Sequence, residues 1–289
     1  MKEFHTGIVT RIISNLYIVK CGEHYYKAFP RGKLKLDGDI YVGDHVEITK
    51  SFPYSSIDKV LPRSNLLMRP YVANVDIAII VIAKEPNPDL LLVDKIIIDC
   101  RRKGIKPVIC YNKSDIATRA EIDEILSSYT DNECIITSTK AHDCCDEIIQ
   151  YIRGSVVCFA GQSAVGKTSI LNTLLKLNLK TGEMSARINQ GKNTTRHVEI
   201  FEAYGGMIVD TCGFSKLTLS DMQPNDLKYY YDEFILTANK CNFSACSHIT
   251  EPGCAVKKAV EMGEIDKNRY SRYLTIYEEL SELKRNGNG

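Results

Sequence analysis

The stretch Ser155–Ser169, with the sequence SVVCFAGQSAVGKTS, decides the fold of this 289-residue chain. The apolar residues from Ser155 to Ala160 predict a buried strand, and the residues after it match the phosphate-loop pattern G-x4-G-K-[ST]. A helix is predicted over Lys167–Lys176. A strand that enters a phosphate loop and then a helix predicts a nucleotide-binding domain. The candidate phosphate-binding residues are Gly161, Gln162, Ser163, Ala164, Val165, Gly166, Lys167, Thr168 and Ser169.

Two side chains of this loop have expected roles in phosphoryl chemistry. Lys167 is positioned to reach the β- and γ-phosphate oxygens, and the hydroxyl of Thr168 to coordinate Mg²⁺. An ordinary glycine-rich turn is the alternative, and the strand and helix on either side disfavour it.

The segments before this loop alternate between apolar strands and helix-length stretches, which predicts an α/β, doubly wound domain. Asp76–Ile82 is a continuous apolar run of the kind that parallel sheets bury on both faces. The other predicted strands are Pro107–Tyr111 and Cys134–Thr137, and the predicted helices are Asp89–Lys103 and Arg119–Tyr129.

The motif Asn112-Lys113-Ser114-Asp115 follows a predicted strand and indicates which base is bound. A carboxylate at Asp115 can accept hydrogen bonds from the N1–H and 2-amino groups of guanine, whereas adenine offers neither donor. An aspartate that only caps a helix is the alternative for N-K-x-D alone, but the phosphate loop makes it much weaker. The motif favours GTP and disfavours a P-loop ATPase.

Three further segments fit a GTPase. Ser138-Thr139-Lys140 follows a predicted strand, where a backbone N–H of GTPases contacts guanine O6. Asp210-Thr211-Cys212-Gly213 fits D-x-x-G, in which Asp210 reaches Mg²⁺ and the N–H of Gly213 senses the γ-phosphate. Thr195, beside Thr194, is the candidate switch threonine that ligates Mg²⁺.

The order of these motifs is permuted. N-K-x-D precedes the phosphate loop by about fifty residues, whereas Ras-like chains place the loop first. Opening a compact α/β domain at a new position leaves its sheet intact, because chain ends commonly lie close together. The γ-phosphate sensor then lies directly before the C-terminal region in sequence.

We expect three domains, comprising residues 1–65, 66–223 and 224–289. Short β-rich runs broken by glycines over residues 7–60 predict a small all-β barrel. Arg31, Lys33 and Lys35 form a local basic cluster that makes RNA a plausible ligand of such a barrel, and a solvated hairpin is the alternative. A charged helical tail is predicted over Ala255–Lys284.

A cysteine- and histidine-containing loop precedes that tail. Cys241, Cys246, His248 and Cys254 supply three thiolates and one imidazole, a set suited to a closed tetrahedral zinc site. Free structural cysteines are the alternative. No ligand position would remain open, so we expect one structural Zn²⁺.

Composition sets the remaining limits. Lys and Arg number 37 against 36 acidic residues, so any basic binding surface has to be local. The first residues contain no apolar signal core, and the longest apolar runs are too short to span a bilayer. Eleven cysteines, an odd number without a small-scaffold framework, suit a reducing compartment. We therefore expect a cytoplasmic protein without membrane association.

These motifs together resemble the ribosome small-subunit-dependent GTPase A family (RsgA, also called YjeQ) over essentially the whole chain. The resemblance rests on the permuted motifs, the Cys3His loop and several shorter segments. Those segments are Arg31-Gly32-Lys33, Gly43-Asp44, Leu61-Pro62-Arg63, Arg69-Pro70 and Ala73-Asn74-Val75-Asp76.

The resemblance implies an OB-fold barrel, a circularly permuted P-loop GTPase domain and a helical zinc-binding domain. It further implies late assembly of the small ribosomal subunit, binding of that subunit and its rRNA, and Mg²⁺-dependent hydrolysis of GTP to GDP and phosphate that the subunit stimulates. We expect a monomer. An RNA or ribosome scaffold that holds GTP with little hydrolysis is the alternative.

Two departures from the family pattern concern catalysis. Cys212 replaces the proline of D-T-P-G-F, and Asn193 stands where the family has a histidine suspected of assisting hydrolysis. Phe214 occupies the place of the glutamine that aligns water in Ras-like enzymes. The hypothesis is that Asn193 or His197 orients the attacking water once the ribosome orders the switch.

Overall fold

The structure is a computed structural model that describes residues 4–32, 38–68, 71–140, 145–179, 198–210 and 217–286. Several predicted residues lie outside these ranges: Lys33, Lys35, Asn193, Thr194, Thr195, His197, Cys212, Gly213 and Phe214. None of the helices in the described ranges is long and apolar enough to cross a membrane.

Five strands form a closed barrel at the start of the chain, as the sequence predicts. β1 pairs with both β2 and β4, β2 pairs with β3, and β5 pairs with both β3 and β4. Val9, Val19, Ile48 and Ile57 are fully buried inside. The strands are β1 (Phe4–Ile13), β2 (Leu16–Cys21), β3 (His24–Pro30), β4 (His45–Thr49) and β5 (Ser55–Val60).

The central sheet has the strand order β10-β9-β8-β11-β13-β12. Its strands are parallel except β12, which runs antiparallel to β13. A two-stranded hairpin, β6 (Leu66–Met68) with β7 (Tyr71–Ala73), lies between barrel and sheet in sequence. The strands of the sheet are β8 (Ile77–Ala83), β9 (Lys106–Asn112), β10 (Glu133–Ile136), β11 (Val156–Ala160), β12 (Glu199–Ala203) and β13 (Gly206–Asp210).

Helices cover both faces of this sheet, which confirms the doubly wound prediction. Residues of α1 and α2 join one apolar cluster with β8 and β9, and residues of α3 and α4 join a second cluster on the opposite face. The helices are α1 (Leu90–Arg102), α2 (Arg119–Leu126), α3 (Asp146–Ile152) and α4 (Lys167–Leu179).

The C-terminal part contains a 3-10 segment, Pro224–Tyr230, and three helices. The predicted helical tail Ala255–Lys284 consists of two helices, because Gly263, with φ of 75°, ends the first helix and Asp266 caps the next. The Asp266 carboxylate accepts the N–H of Arg269 at 2.6 Å. The helices are α5 (Asp232–Ala238), α6 (Ala255–Glu261) and α7 (Lys267–Asn286).

The barrel is joined to the sheet domain by a polar contact among segments that carry the family resemblance. Arg63 donates to both carboxylate oxygens of the fully buried Asp44, at 2.6 and 2.8 Å. The amide of Asn74 donates to the carbonyl of Gly43 at 2.9 Å. Gly43 has φ of 90°, and a Cβ there would meet the Ala73 carbonyl, so glycine is required.

Helix α1 forms the contact with the C-terminal part. Arg272 of α7 pairs with the buried Asp94 at 2.5 Å. Arg269, only 3% exposed, pairs with Asp131 at 3.0 Å and with Glu233 at 2.6 Å. Ile98 of α1 belongs to the apolar core of the C-terminal part. Helix α1 and the C-terminal part are therefore joined by apolar packing as well as by ion pairs.

Candidate nucleotide site and zinc cluster

The candidate nucleotide site lies at the carboxyl ends of the parallel strands. The phosphate loop follows β11, Asn112 ends β9, Ser138 follows β10, and Asp210 ends β13. Because carboxyl ends of parallel strands share one edge of a sheet, motifs that are distant in sequence meet there.

The backbone of the phosphate loop requires its glycines. Gly161 and Gly166 have φ of 120° and 102°. A Cβ on Gly161 would meet the carbonyl of Val81, and one on Gly166 would meet the Asn112 amide. The loop therefore lies directly against β8 and the end of β9.

The ammonium of Lys167 is held within this loop. Its Nζ donates to the carbonyls of Gly161 at 2.8 Å and Gln162 at 2.5 Å. Burial lowers the pKa of Lys167, because desolvation disfavours the charged form. A phosphate group would offset that loss of hydration, which fits the role expected for this lysine.

The N-K-x-D motif is hydrogen-bonded to the phosphate loop. The amide of Asn112 donates to the Val165 carbonyl at 2.9 Å, and Lys113 donates to the Ala164 carbonyl at 2.9 Å. Lys113 also donates to the carbonyl of Glu85 at 2.7 Å and has a left-handed φ of 59°. These bonds bring together two motifs that the sequence separates.

Asp115 lies in the adjoining loop with Ser138 and Lys140. The Ser138 hydroxyl donates to one carboxylate oxygen at 2.6 Å, and Lys140 pairs with the other at 2.8 Å. Hydrogen bonds from Lys140 and then Ser138 lower the pKa of Asp115. A carboxylate that stays ionised can accept the two N–H donors of guanine.

The remaining predicted residues lie at the same edge. Ser114 donates its N–H to Thr137 at 3.1 Å, which joins the N-K-x-D loop to the end of β10. Thr168 and Ser169 are exposed at the start of α4, and Asp210 is exposed at the end of β13.

Residues in this site fit GTP with Mg²⁺. The buried Oδ1 of Asn112 has no hydrogen-bond partner among the described residues. A buried oxygen without a partner is costly, which favours a ligand donor there. Asp210 and Thr168 offer the hard oxygen atoms that Mg²⁺ prefers.

The second site is the zinc cluster, defined as Cys241, Cys246, His248 and Cys254. Their ligand atoms all lie within 4.8 Å of one another. Nδ1 of His248 is 3.7 Å from Sγ of Cys241 and 3.4 Å from Sγ of Cys254. A tetrahedral site with Zn–S bonds of about 2.3 Å places its ligand atoms roughly 3.5–4 Å apart, so the cluster fits zinc.

Hydrogen bonds support the cluster from outside. The N–H of Ala255 points to Sγ of Cys241 at 3.3 Å, and the N–H of Lys257 points to Sγ of Cys254 at 3.5 Å. The Glu251 carboxylate accepts the N–H groups of Ser247 at 2.6 Å and Ile249 at 3.0 Å. Such donors stabilise thiolates and fix the loop geometry.

Sequence reasoning missed some of these supporting residues. Glu251 lies between two ligands, and its acceptor role has no sequence pattern. Gln162 was predicted as a phosphate-binding residue, and its side chain also accepts the N–H of Asp89, which caps α1. An aspartate directly before a predicted helix is a recognisable signal for an N-cap at Asp89, but no sequence signal indicates its bond to Gln162.

This arrangement defines a circularly permuted GTPase, because N-K-x-D precedes the phosphate loop in the chain and binds it in the fold. The family model described as RsgA GTPase matches residues 60–220. The crystal structure of YjeQ from Thermotoga maritima superposes with a TM-score of 0.84 and 34% identity, covering 96% of this chain and 99% of that one. The structure titled YloQ, a circularly permuted GTPase, gives a TM-score of 0.81 and 28% identity, covering 97% and 96%.

Full-length relatives give the same answer. "Small ribosomal subunit biogenesis GTPase RsgA" of Ruminiclostridium cellulolyticum is 41% identical, over 96% of this chain and 94% of that protein. The protein of the same name from Clostridium novyi is 39% identical, over 97% and 99%. The chain belongs to the RsgA GTPase family.

Proposed function

We propose that this GTPase binds the small ribosomal subunit late in assembly and hydrolyses GTP to GDP and phosphate when the subunit stimulates it. The observation that carries the proposal is the pair of bonds from Asn112 and Lys113 to the phosphate loop, which build one guanine-nucleotide site. The names of the relatives refer to small-subunit biogenesis, which supports the small ribosomal subunit as the binding partner.

The residues of the site have separate roles in this proposal. Asp115 selects guanine, Lys167 and the loop N–H groups bind the phosphates, and Thr168, Thr195 and Asp210 hold Mg²⁺. Mg²⁺, when bound, neutralises charge that develops on the transferring phosphoryl group. Gly213 senses the γ-phosphate, and Asn193 or His197 orients the attacking water.

The proposal extends to the rest of the chain. Zn²⁺ bound by the zinc cluster holds the C-terminal loop in one conformation. The barrel and the C-terminal part contact rRNA, and the protein acts as a cytoplasmic monomer without membrane association. Residues 1–65, 66–223 and 224–289 fold as three domains that share the contacts described above.

A scaffold that holds GTP with little hydrolysis is the second candidate. Phe214 and Asn193 favour it, since they replace the glutamine of Ras-like enzymes and the histidine of the family. Turnover distinguishes the two candidates, because both bind GTP.

Multiple-turnover phosphate release tests the proposal with small subunits, large subunits or neither present. We expect stimulation by small subunits alone. Equal rates in the three reactions contradict the proposal, and tight GTP binding without stimulated turnover supports the scaffold.

A further inference from the structure

Strand β1 of the barrel also belongs to the central sheet. It pairs antiparallel with β12, and Arg11 of β1 lies directly opposite Glu199 of β12. The strands at this junction have the order β13-β12-β1-β2, so the barrel and the central sheet are continuous. The barrel is therefore only one strand away from β13, which ends at Asp210.

Three charged residues form a row across this junction. Glu199 is opposite Arg11 on one side and opposite Asp210 on the other. Directly opposite residues of antiparallel strands have their side chains on the same face of the sheet, with Cβ atoms about 5 Å apart. We call Arg11, Glu199 and Asp210 the charge row. It places one cation and one further carboxylate beside the candidate Mg²⁺ ligand Asp210.

The charge row lies on the face of the sheet that α4 covers. Ala203 is four residues after Glu199 in β12, and Ile208 is two residues before Asp210 in β13, so each pair shares a face. Ala203 and Ile208 are buried in the apolar cluster that contains residues of α4. Helix α4 follows the phosphate loop and has Thr168, the other described Mg²⁺ candidate, in its first turn.

The cation of the charge row is bound by the middle carboxylate. Nη1 of Arg11 lies 3.6 Å from Oε1 of Glu199. Like charges directly opposite each other are destabilising, so the guanidinium offsets the charge that Glu199 places beside Asp210. In return, the Glu199 carboxylate holds the guanidinium on the β1 side of β12.

Without that carboxylate, the guanidinium would have Asp210 within reach. Neighbouring strands are about 4.8 Å apart, so the backbones at Arg11 and Asp210 are separated by roughly 10 Å. An extended arginine side chain covers much of that distance, and guanidinium groups form strong charge-assisted hydrogen bonds with carboxylates. A guanidinium bound to Asp210 would compete with Mg²⁺ for the same oxygen atoms.

We propose that Glu199 is a positioning residue of the Mg²⁺ site, because it binds Arg11 and thereby keeps the cation of the barrel away from Asp210. This inference rests on the proposed function, since it requires Asp210 to hold Mg²⁺ together with GTP. It adds a residue outside the nucleotide motifs. It also makes the metal affinity of the site depend on strand β1 of the barrel.

Binding of a fluorescent, non-hydrolysable GTP analogue to the full zinc-loaded chain tests the inference. The measured quantity is the free Mg²⁺ concentration at which retention of the bound analogue is half-maximal. Glu199→Gln leaves the guanidinium to pair with Asp210 and should raise this concentration about 3- to 10-fold, since partly exposed charges have modest effects. Arg11→Met leaves an extra negative charge beside Asp210 and should lower it about 3-fold.

The double variant gives the decisive comparison. Arg11→Met combined with Glu199→Gln removes both charges and should return to within about 2-fold of wild type, because the two effects oppose each other. A purely structural role of the ion pair predicts weaker Mg²⁺ binding in all three variants. The effects of the single variants should also shrink between about 0.05 and 0.5 M salt, because salt screens partly exposed charges.

Glu202→Gln is the matched control. Glu202 lies on the same strand and pairs with Lys20 of the barrel at 3.0 Å, but it is opposite Met207 rather than Asp210. This variant also loses an ion pair between barrel and sheet, yet it should leave the half-maximal Mg²⁺ concentration unchanged. Thermal unfolding of every variant separates a loss of folding from a loss of metal affinity.

Two results would overturn the inference: wild-type Mg²⁺ dependence in Glu199→Gln, or shifts in the same direction in both single variants. Asp210→Asn is measured alongside. Wild-type Mg²⁺ dependence in Asp210→Asn contradicts the proposed Mg²⁺ ligand. Weakened dependence in Asp210→Asn together with an unaffected Glu199→Gln contradicts the role of Glu199 alone.

Discussion

The zinc cluster and the nucleotide site are built in opposite ways. The four residues of the zinc cluster come from one loop, Cys241–Cys254, and their ligand atoms lie within 4.8 Å of one another. The nucleotide site collects residues from the ends of four strands, and Thr168 and Asp210 at its edge are exposed. The comparison shows that a structural site closes on itself, whereas a catalytic site keeps ligand positions open for substrate and partner.

Zinc removal should have the largest effect. Structural zinc contributes about 10 kcal/mol or more to the folding of small zinc modules, so Cys254→Ser should lose the metal and unfold the C-terminal part. Zinc content and thermal unfolding measure this. Cys134→Ser, at an exposed cysteine of β10, is the matched control and should keep both. A Cys254→Ser protein with stoichiometric zinc and the wild-type transition contradicts a structural zinc site.

Breaking the contact between α1 and the C-terminal part should have the second-largest effect. Arg272→Met leaves the buried carboxylate of Asp94 without its cation and should destabilise the protein by about 3 kcal/mol. Arg119→Met breaks an exposed pair with Asp123 and should cost less than about 0.5 kcal/mol. Chemical denaturation compares them. Equal losses would mean that the C-terminal part is energetically independent of α1.

The third prediction concerns the nucleotide site and the candidate water-orienting residues Asn193 and His197. Asn193→Ala or His197→Ala should lower subunit-stimulated turnover about 10- to 100-fold, because one of them orients the attacking water. GTP affinity should stay near wild type. Unchanged stimulated rates in both variants would exclude these two residues from that role.

The smallest effect is expected at Glu251. Burial alone would raise its pKa, but hydrogen bonds from Ser247 and Ile249 lower it to about 2. A lowered carboxyl pKa stabilises the fold above the unfolded value and loses this effect as pH falls toward 2. Glu251→Gln should therefore cost about 1 kcal/mol, equally at pH 5 and pH 7, with zinc retained.

Thermal unfolding at the two pH values provides the measurement for Glu251. Glu261→Gln, at an exposed position of α6, is the control and should behave like wild type. A Glu251→Gln protein as stable as wild type at both pH values would contradict a stabilising role for this carboxylate.

Much of the fold was predictable because its signals are local. Strands β9, β10 and β11 lie within one residue of the predictions, since each is a short apolar run bounded by turn residues. The helical tail was predictable, but its division into two helices was not, because the apolar spacing continues through the helix stop at Gly263.

Contacts between distant segments were not predictable in the same way. The bond from Asn112 to Val165 and the bond from Asn74 to Gly43 depend on how distant segments of the chain assemble. Most of these residues lie in segments that the sequence analysis had already singled out by their motifs or by the family resemblance. Only the structure shows what each one touches.

The most direct test of the account is the base specificity of Asp115→Asn. An amide there donates to the 2-oxo group of xanthine but no longer accepts the 2-amino group of guanine, so GTP affinity should fall at least about 100-fold and xanthosine triphosphate should bind more tightly than GTP. Asp123→Asn, in α2, is the control and should bind GTP like wild type. Unchanged GTP affinity in Asp115→Asn would contradict the claim that the permuted motifs form one guanine-nucleotide site.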